Sequence, residues 1–429
     1  MPGLPRYGCG GRGFVLCVFQ PANCNQPMPP RRKTRQMSVG PVKIGGDAPI
    51  SVQSMTSTYT YEIDKTIAQI QSLARAGANI VRVAVPDKRD TEALPHILAA
   101  SPVPIVADVH FHFERALEAI EAGVHKIRLN PGNIQDRSKV QRVIAACKER
   151  GVPIRVGVNE GGIVERRDKT QRAAEKATLV NNYRGNLIKI MLDKLDEYLR
   201  IFDEANFHDV VISAKSIDPT IVIDAYTAIS QRYDYPLHLG VTHAGPPETG
   251  RIRSITALGA LLANGIGDTI RISYAADPVF EAEDGKELLC CLGLRNRTEP
   301  ELIACPTCGR IEVDLFKLVT DVRRKLAEEI SLPIKVAVMG CVVNGPGECE
   351  GSDVAIFAGG HKGIIYVQGE QRQTVPEGQM LDALLEECRK LQADVQAGRA
   401  TLTNAHVDVK PPAPLPRKDG SIPLSVVRT

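Results

Sequence analysis

The 429-residue sequence contains no tryptophan, and aromatic residues make up only 4% of it. This scarcity argues against flat aromatic platforms for stacking bases or sugars. Lysine and arginine exceed aspartate and glutamate by three, 53 against 50, so no overall charge excess indicates a nucleic-acid or acidic-lipid partner. No apolar run approaches the roughly 18 residues of a membrane span. Any anion site must therefore be local.

An export signal is also missing, because the short apolar run at 13–19 lacks a small-residue cleavage site. The expected compartment is therefore the reducing cytoplasm, where eleven cysteines do not form a disulfide scaffold. Grouped cysteines in such a protein are typically metal ligands or reactive thiols. One group lies among glycines and prolines and comprises Cys305, Cys308, Cys341 and Cys349.

Changes in composition predict two domains between two disordered ends. Residues 1–30 form an aperiodic leader, and 399–429 form a proline-rich tail. The first domain covers 31–294. A smaller α/β domain covers 295–398, with strands predicted at 335–338 and 364–367 and helices at 314–329 and 379–397.

The first domain alternates eight β-branched runs with helical patterns, the count of a (β/α)8, or TIM, barrel. The runs are 50–54, 80–85, 104–109, 126–130, 153–159, 209–215, 237–242 and 269–273. A doubly wound open sheet is the alternative, because strand order is not visible in a sequence. The region 160–208 is longer than the other connections and predicts an extra helix.

Four predicted barrel strands carry an arginine inside an apolar run, and burying a guanidinium unpaired is costly. These arginines are Arg82, Arg128, Arg155 and Arg271. Further polar residues near the strand C-termini are Asp108, His110, Asn130, Asn159, Lys215 and Ser273. The strand C-termini form the active-site face of this fold. Converging arginines suit a polyanionic ligand, because each planar fork binds two phosphate oxygens. The alternative is that each arginine pairs with a local acid such as Asp108 or Asp268.

The cysteine group fits two kinds of metal centre. Cys305 and Cys308 form a Cys-x-x-Cys pair, and Cys341 follows 33 residues later. Structural zinc normally takes a second pair, although Cys349 could close its shell. Three thiolates with a non-thiolate fourth ligand suit a catalytic [4Fe–4S] cluster instead. Glu348 is the candidate exchangeable oxygen ligand, and the spacing favours iron–sulfur over zinc.

These motifs resemble a known family. Its marks are Cys305-Pro-Thr-Cys308 and Gly340-Cys-Val-Val-Asn-Gly-Pro-Gly-Glu348, together with Val52-Gln-Ser-Met-Thr56, Asp108-Val-His-Phe111, Asn130-Pro-Gly132, Ser213-Ala-Lys215 and Gly267-Asp-Thr-Ile-Arg-Ile-Ser273. The sequence resembles the bacterial 4-hydroxy-3-methylbut-2-enyl diphosphate synthases of the non-mevalonate isoprenoid pathway. The resemblance covers 31–397.

The resemblance implies a two-electron reductive ring opening of 2-C-methyl-D-erythritol 2,4-cyclodiphosphate to the allylic diphosphate. Reduced ferredoxin or flavodoxin would supply the electrons through a [4Fe–4S] cluster. The family also implies a homodimer in which the cluster domain of one subunit caps the barrel of the other, so that the site forms in trans. Neither nucleic acid nor membrane is expected as a partner.

The resemblance also assigns residues by matched position. The cluster ligands are Cys305, Cys308, Cys341 and Glu348, and Asn344 would lie near the apical iron. The diphosphate pocket comprises Arg82, His110, Arg128, Asn130, Arg155, Asn159, Lys215, Arg271 and Ser273.

The sequence departs from the family after the seventh barrel strand. The family has Leu-Gly-x-Thr-Glu-Ala-Gly, with the glutamate proposed as a catalytic acid, whereas this chain has His243 at that position. Either His243 takes the role or Glu248, five residues on, reaches in. Cys349 is an unfamiliar neighbour of the cluster glutamate.

Two other functions are compatible with the residues alone. The first is a pterin-type TIM-barrel transferase with an accessory zinc domain. The second is a non-enzymatic metal-binding RNA or scaffold module, which the near-zero net charge and few aromatics disfavour.

Overall fold

The computed structural model describes residues 28–110, 112–129, 136–160, 183–341, 347 and 351–403. The chain divides into two compact units, Met1–Arg295 and Asn296–Thr429. The leader up to residue 27 and the tail from residue 404 lie outside the described residues. No helix in the described ranges is long and apolar enough to cross a membrane.

The first unit is a barrel of parallel strands. An antiparallel hairpin precedes it, formed by β1 (Met37–Val39) and β2 (Val42–Ile44). The barrel strands are β3 (Ser51–Met55), β4 (Ile80–Ala84), β5 (Ile105–Val109), β6 (Lys126–Leu129), β7 (Ile154–Asn159), β8 (Val210–Lys215), β9 (His238–Leu239) and β10 (Thr269–Ile270). Their order is β8-β7-β6-β5-β4-β3-β10-β9.

A parallel bridge between Ile212 on β8 and Leu237, just before β9, joins the two ends of this sheet. The strands therefore form a nearly closed ring in sequence order. The barrel prediction is confirmed, and the alternative of a doubly wound open sheet is wrong.

Helices surround the strands, and their ends follow from local sequence. They are α1 (Ile63–Arg75), α2 (Lys88–Ala100), α3 (Phe113–Ala122), α4 (Arg137–Arg150), α5 (Tyr183–Glu204), α6 (Pro219–Arg232), α7 (Pro247–Ala263) and α8 (Pro278–Cys291). Asp87, Asp136, Asp218 and Asp277 cap the N-termini of α2, α4, α6 and α8 by accepting backbone N–H groups. The extra helix predicted within 160–208 concerns mainly 161–182, which lie outside the described residues.

Successive side chains of each strand point alternately to the helices outside the barrel and into the barrel interior, and these two regions differ in polarity. Val, Ile and Leu side chains on the outer face of the strands pack against the helices in one continuous apolar cluster. At the N-terminal end of the barrel, Ile80, Val106 and Val211 pack against the hairpin residues Met37 and Val39. This apolar cluster fills the N-terminal end of the barrel. Polar side chains occupy the interior nearer the C-termini of the strands.

The second unit is a five-stranded mixed sheet in the order β11-β12-β13-β14-β15. The strands are β11 (Glu301–Ala304), β12 (Lys335–Met339), β13 (Val354–Gly359), β14 (Lys362–Val367) and β15 (Glu370–Pro376). The first three run parallel, and β14 and β15 are antiparallel to their neighbours. Helices α9 (Leu315–Glu329) and α10 (Met380–Gln396) contribute to its apolar core, and a short 3-10 turn (Glu377–Gln379) precedes α10.

The sequence predicted only two of these five strands. Both predicted helices and the strands β12 and β14 are confirmed, and three further strands were not predicted. Strands β11 and β15 were missed because they are short or mostly polar and partly exposed. Strand β13 was missed although its Val-Ala-Ile-Phe-Ala run is apolar and almost wholly buried.

Candidate active site

Polar side chains occupy alternate positions along the barrel strands and share one face. Asp108 on β5 is in register with Arg128 on β6, which is in register with Arg155 on β7. All three are buried, at 3%, 6% and 2% exposure. TIM-barrel interiors are usually filled by branched apolar residues, so a charged interior needs a separate physical reason.

Cations outnumber carboxylates in this interior. Among the described residues the cations are Arg82, Lys126, Arg128, Arg155, Lys215 and Arg271, and the carboxylates are Asp108 and Glu281. Burial and the neighbouring guanidinium groups lower the pKa of the Lys215 ammonium well below its usual value. Such crowding is unfavourable unless an anion enters.

Asp108 is the counter-ion of two arginines. Its carboxylate lies 3.5 Å from Nε of Arg82 and 3.1 Å from Nη1 of Arg128. Nε2 of His110 is 3.5 Å from the same carboxylate. Burial opposes the charge, but Arg82 and Arg128 hold the pKa of Asp108 well below its usual range. Arg82 and Arg128 therefore do pair with a local acid, although Nε of Arg128 still has no partner within the described residues.

Arg155 has no such counter-ion. Its Nη1 donates to Oγ of Ser213 at 2.9 Å, whereas its Nε and Nη2 have no hydrogen-bond partner within the described residues. Nε of Arg128 and Nε of Arg271 are likewise unpartnered there. Buried donors without acceptors are costly, so the interior is arranged to receive acceptor oxygens.

Asp268, the second acid considered from sequence, does not serve Arg271. It lies just before β10, at the opposite end of the strand, where it pairs with Arg31 at 3.1 Å and accepts from the backbone N–H of Leu237 at 2.8 Å. Instead, Oε2 of Glu281 lies 3.3 Å from Nη2 of Arg271. Pairing with Asp268 is therefore wrong for Arg271.

Glu281, Lys126 and His238 were not found by sequence reasoning. Glu281 comes from α8, its Oε1 accepts from the backbone N–H of Tyr274 at 2.9 Å, and burial raises its pKa. No strand pattern could have indicated a helical residue. Lys126 and His238 are fully buried. Lys126 lies two residues before Arg128, so the period of two would have identified it, and His238 lies inside the predicted strand 237–242.

The predicted pocket residues Asn159 and Ser273 lie at the C-terminal end of the barrel. Asn159 is in register with Lys215, and Oγ of Ser273 donates to the carbonyl of Val241 at 3.2 Å. At Gly240 a Cβ would lie 2.8 Å from the backbone carbonyl oxygen of Arg271 and 2.8 Å from Nζ of Lys215, so the close approach of the Arg271 backbone requires glycine there. Asn130 lies outside the described residues.

The two proton-donor candidates follow β9, His243 in the loop and Glu248 at the start of α7. His243 is exposed, with a φ of 50° in the left-handed region, and its Nδ1 is 3.2 Å from Oγ1 of Thr242. Strained backbone of this kind is frequent in functional loops. Glu248 is also exposed, in the first turn of α7. The geometry does not choose between them, so both remain candidates.

Two of the predicted cluster cysteines follow neighbouring parallel strands of the second unit. Cys305 comes directly after β11, and Cys341 comes two residues after the end of β12. The backbone N–H of Cys305 donates to the Val338 carbonyl at 3.2 Å, and that of Gly340 donates to Sγ of Cys305 at 3.2 Å. Cys308 is exposed in the loop after β11. Glu348, Asn344 and Cys349 lie outside the described residues.

These thiols differ from the core cysteines. Cys147 and Cys388 are buried, and burial raises the pKa of each thiol to about 12. Cys305 and Cys341 are partly buried at the end of parallel strands. Within the described ranges no three His, Cys, Asp or Glu side chains surround one metal position. An iron–sulfur cluster spreads its ligands over separate irons, and N–H donation to sulfur is typical of its surroundings. The chemistry of the three loop thiols, and the placement of Cys305 and Cys341 after neighbouring strands, are compatible with such a cluster.

Replacing Asp108 with asparagine should strongly destabilise the protein. Two buried guanidinium groups would lose their counter-ion, which costs about 3–5 kcal/mol of unfolding free energy. Urea unfolding at pH 7 measures this. The pKa of Asp108 in the folded state lies below its unfolded value of about 3.9. The stabilisation that Asp108 gives to the folded protein is therefore fully present above about pH 3.9 and is lost as the pH falls towards the folded-state pKa.

Asp224→Asn is the matched control, because Asp224 pairs with Arg184 on the exposed surface. We expect a change below about 1 kcal/mol there. Equal effects of the two substitutions would contradict the counter-ion role of Asp108.

Fold and residues together define a two-unit α/β protein, in which a TIM barrel with a cationic interior is followed by a unit with loop cysteines. Family models match both units: the GcpE TIM-barrel domain over residues 34–286 and the GcpE protein C-terminal domain over 301–390. The chain belongs to the GcpE family.

Curated relatives are similar to this chain over nearly their whole length. The chain is 45% identical to a protein of Acidothermus cellulolyticus, covering 87% of this chain and 92% of that one. It is 46% identical to a protein of Corynebacterium jeikeium, covering 84% and 90%. It is 43% identical to a protein of Parafrankia sp., covering 92% and 100%. Each relative is named 4-hydroxy-3-methylbut-2-en-1-yl diphosphate synthase (flavodoxin).

Membership of this family decides among the functions considered from sequence. The matches run through both the barrel and the cysteine-bearing unit. The pterin-type transferase and the non-enzymatic module are therefore wrong, and the resemblance seen in the motifs is confirmed.

Proposed function

We propose that the chain catalyses the reductive ring opening of 2-C-methyl-D-erythritol 2,4-cyclodiphosphate to 4-hydroxy-3-methylbut-2-enyl diphosphate in isoprenoid biosynthesis. Two electrons and two protons enter, the ring C–O bond to phosphate breaks, and one hydroxyl leaves as water. The observation that carries the proposal is the excess of buried cations over carboxylates in the barrel, which suits a diphosphate.

The barrel binds and orients the substrate. The proposed contacts are Arg82, His110, Arg128, Asn130, Arg155, Asn159, Lys215, Arg271 and Ser273. Asp108 fixes the guanidinium groups of Arg82 and Arg128, and Glu281 fixes that of Arg271. Their donors are thus held in place before the substrate arrives, which lowers the ordering cost of binding.

The second unit holds the cofactor. Cys305, Cys308, Cys341 and Glu348 are the proposed ligands of a [4Fe–4S] cluster, and Asn344 is proposed to lie near its exchangeable iron. When bound, the cluster supplies electrons and one exchangeable iron position. The N–H of Gly340 that donates to Sγ of Cys305 stabilises negative charge on that sulfur.

Partners follow from the same chemistry. The relatives are named for flavodoxin, and reduced flavodoxin or ferredoxin is the proposed electron donor here. A homodimer with the site formed in trans is proposed from the family resemblance. A cytoplasmic location suits free thiols and a low-potential donor.

The test is an anaerobic assay of the purified chain, reconstituted with iron and sulfide and supplied with the cyclic diphosphate. Phosphorus NMR should show loss of the cyclic substrate and formation of the linear diphosphate when reduced flavodoxin is present. Persistence of the cyclic substrate despite a full cluster content and reduced donor would overturn the proposal.

We propose His243 as the proton donor, with Glu248 as the alternative, and replacing each of them tests this assignment. Asparagine tolerates the left-handed backbone at this position but its amide is not a proton donor in catalysis, so His243→Asn should lower turnover roughly 10²–10⁴-fold. Glu248→Gln, measured under saturating reductant, is the comparison. If only the Glu248 variant loses turnover, the assignment to His243 is wrong.

A further inference from the structure

Lys126 is the most deeply buried cation of the barrel interior. It is the first residue of β6, it is 0% exposed, and its Nζ donates to Oε1 of Gln53 on β3 at 3.2 Å. The family resemblance did not place Lys126 among the substrate contacts. Two residues further along the same strand, Arg128 lies nearer the C-terminal face.

No carboxylate lies within ion-pair distance of Lys126 among the described residues. The charged and titratable groups facing the interior from the surrounding strands are Arg82 on β4, Asp108 on β5, Arg128 on β6, Arg155 on β7, Lys215 on β8, His238 on β9 and, just beyond β10, Arg271. The two interior carboxylates already serve arginines: Asp108 pairs with Arg82 and Arg128, and Glu281 of α8 pairs with Arg271. Lys126 therefore faces mainly like charges.

An arginine guanidinium stays protonated even when it is buried beside other cations. A lysine ammonium in the same environment can lose its proton. Burial, together with Arg155 and Arg82, lowers the pKa of Lys126 well below its usual value. Burial and the neighbouring cations lower the pKa of the His238 imidazole in the same way. A lysine placed like this releases its proton most easily when no anion is present.

We propose that Lys126 takes up a proton when a diphosphate binds in the barrel, and so strengthens binding without touching the ligand. The inference deepens the proposed function, because it rests on a diphosphate occupying the arginine-lined interior. The added anions offset the charge of the neighbouring arginines, so the ammonium form becomes favourable again.

The sign of the pH dependence follows from linkage. Between the lowered pKa of the free protein and the raised pKa of the complex, the complex holds the additional proton. Affinity therefore falls as the pH rises through that window, by about tenfold per pH unit for one proton. A lysine that stays charged in both states would produce no such dependence.

The experiment is titration calorimetry of the anaerobically purified full chain without reductant, so that no turnover occurs. The ligands are the cyclic diphosphate and, separately, inorganic pyrophosphate. Each titration is repeated in buffers of different ionisation enthalpy, because the dependence of the heat on the buffer gives the number of protons taken up. Wild type, Lys126→Gln, Lys126→Met and the exposed-lysine control Lys189→Gln are compared.

We expect the wild type and Lys189→Gln to take up about one more proton per site than either Lys126 variant, with a steeper loss of affinity as pH rises. Protons taken up by the ligand itself or by Lys215 contribute to the wild type and to the Lys126 variants alike. Subtracting the proton uptake of a variant from that of the wild type therefore removes them. Equal proton uptake in wild type and variants, or none in the wild type, would overturn the inference. If pyrophosphate binds with Lys126-dependent uptake but the cyclic diphosphate does not bind, the proposed function fails and the proton linkage stands.

Discussion

Cys341→Ser should lose the visible iron–sulfur absorption and the turnover together. Cys341 follows β12 beside the strand that leads to Cys305, and a serine hydroxyl is a poor replacement for a thiolate at iron. One corner of the cluster would lose its protein ligand. Iron and acid-labile sulfide measured on the anaerobically purified variant should fall to a small fraction of the wild-type content.

Cys291→Ser is the matched control, because Cys291 is an exposed cysteine on α8 in the barrel unit. It should keep the full iron and sulfide content and normal turnover. A Cys341→Ser protein with undiminished iron and sulfide would show that the ligand assignment is wrong.

Arg155→Met should weaken substrate binding and at the same time stabilise the free protein. Arg155 is 2% exposed, and two of its nitrogens have no partner among the described residues. Losing one buried charged partner of the diphosphate costs about 2–5 kcal/mol, or roughly 30-fold to 4,000-fold in Kd. Without ligand, removing an uncompensated buried charge should raise the unfolding free energy, on the order of 1 kcal/mol.

The opposite signs distinguish a binding role from a structural one. Binding is measured by calorimetry without reductant, and stability by urea unfolding of the ligand-free chain. Arg75→Met is the control, because Arg75 lies exposed at the end of α1, and both quantities should change little. If Arg155→Met unfolded more easily and bound the substrate normally, Arg155 would be a structural residue.

Much of the barrel could be predicted because its strands are nearly continuous β-branched runs between helical patterns. The same runs revealed Arg82, Arg128, Arg155 and Arg271, since a guanidinium in an apolar strand is conspicuous. Their partners were less visible. Asp108 lies on a strand and was considered, whereas Glu281 reaches Arg271 from a helix, and only the three-dimensional structure shows that contact.

The second unit was harder to predict because short and polar strands carry little periodicity. Strand β15 has six of its seven residues exposed or partly exposed, so its sequence reads as a loop. Its cysteines nevertheless stood out as candidate metal ligands because of their spacing. What spacing could not show is that the loops of Cys305 and Cys341 follow adjacent parallel strands, with Gly340 donating to the Cys305 sulfur.

The most direct test of the central claim is the number of electrons consumed for each ring opened. Reduced flavodoxin is titrated anaerobically against the reconstituted chain and the cyclic diphosphate, and the oxidised flavodoxin and the linear diphosphate are quantified in the same sample. A two-electron reduction predicts two electrons consumed for each linear product molecule. Product formed without oxidation of flavodoxin would contradict a reductive ring opening.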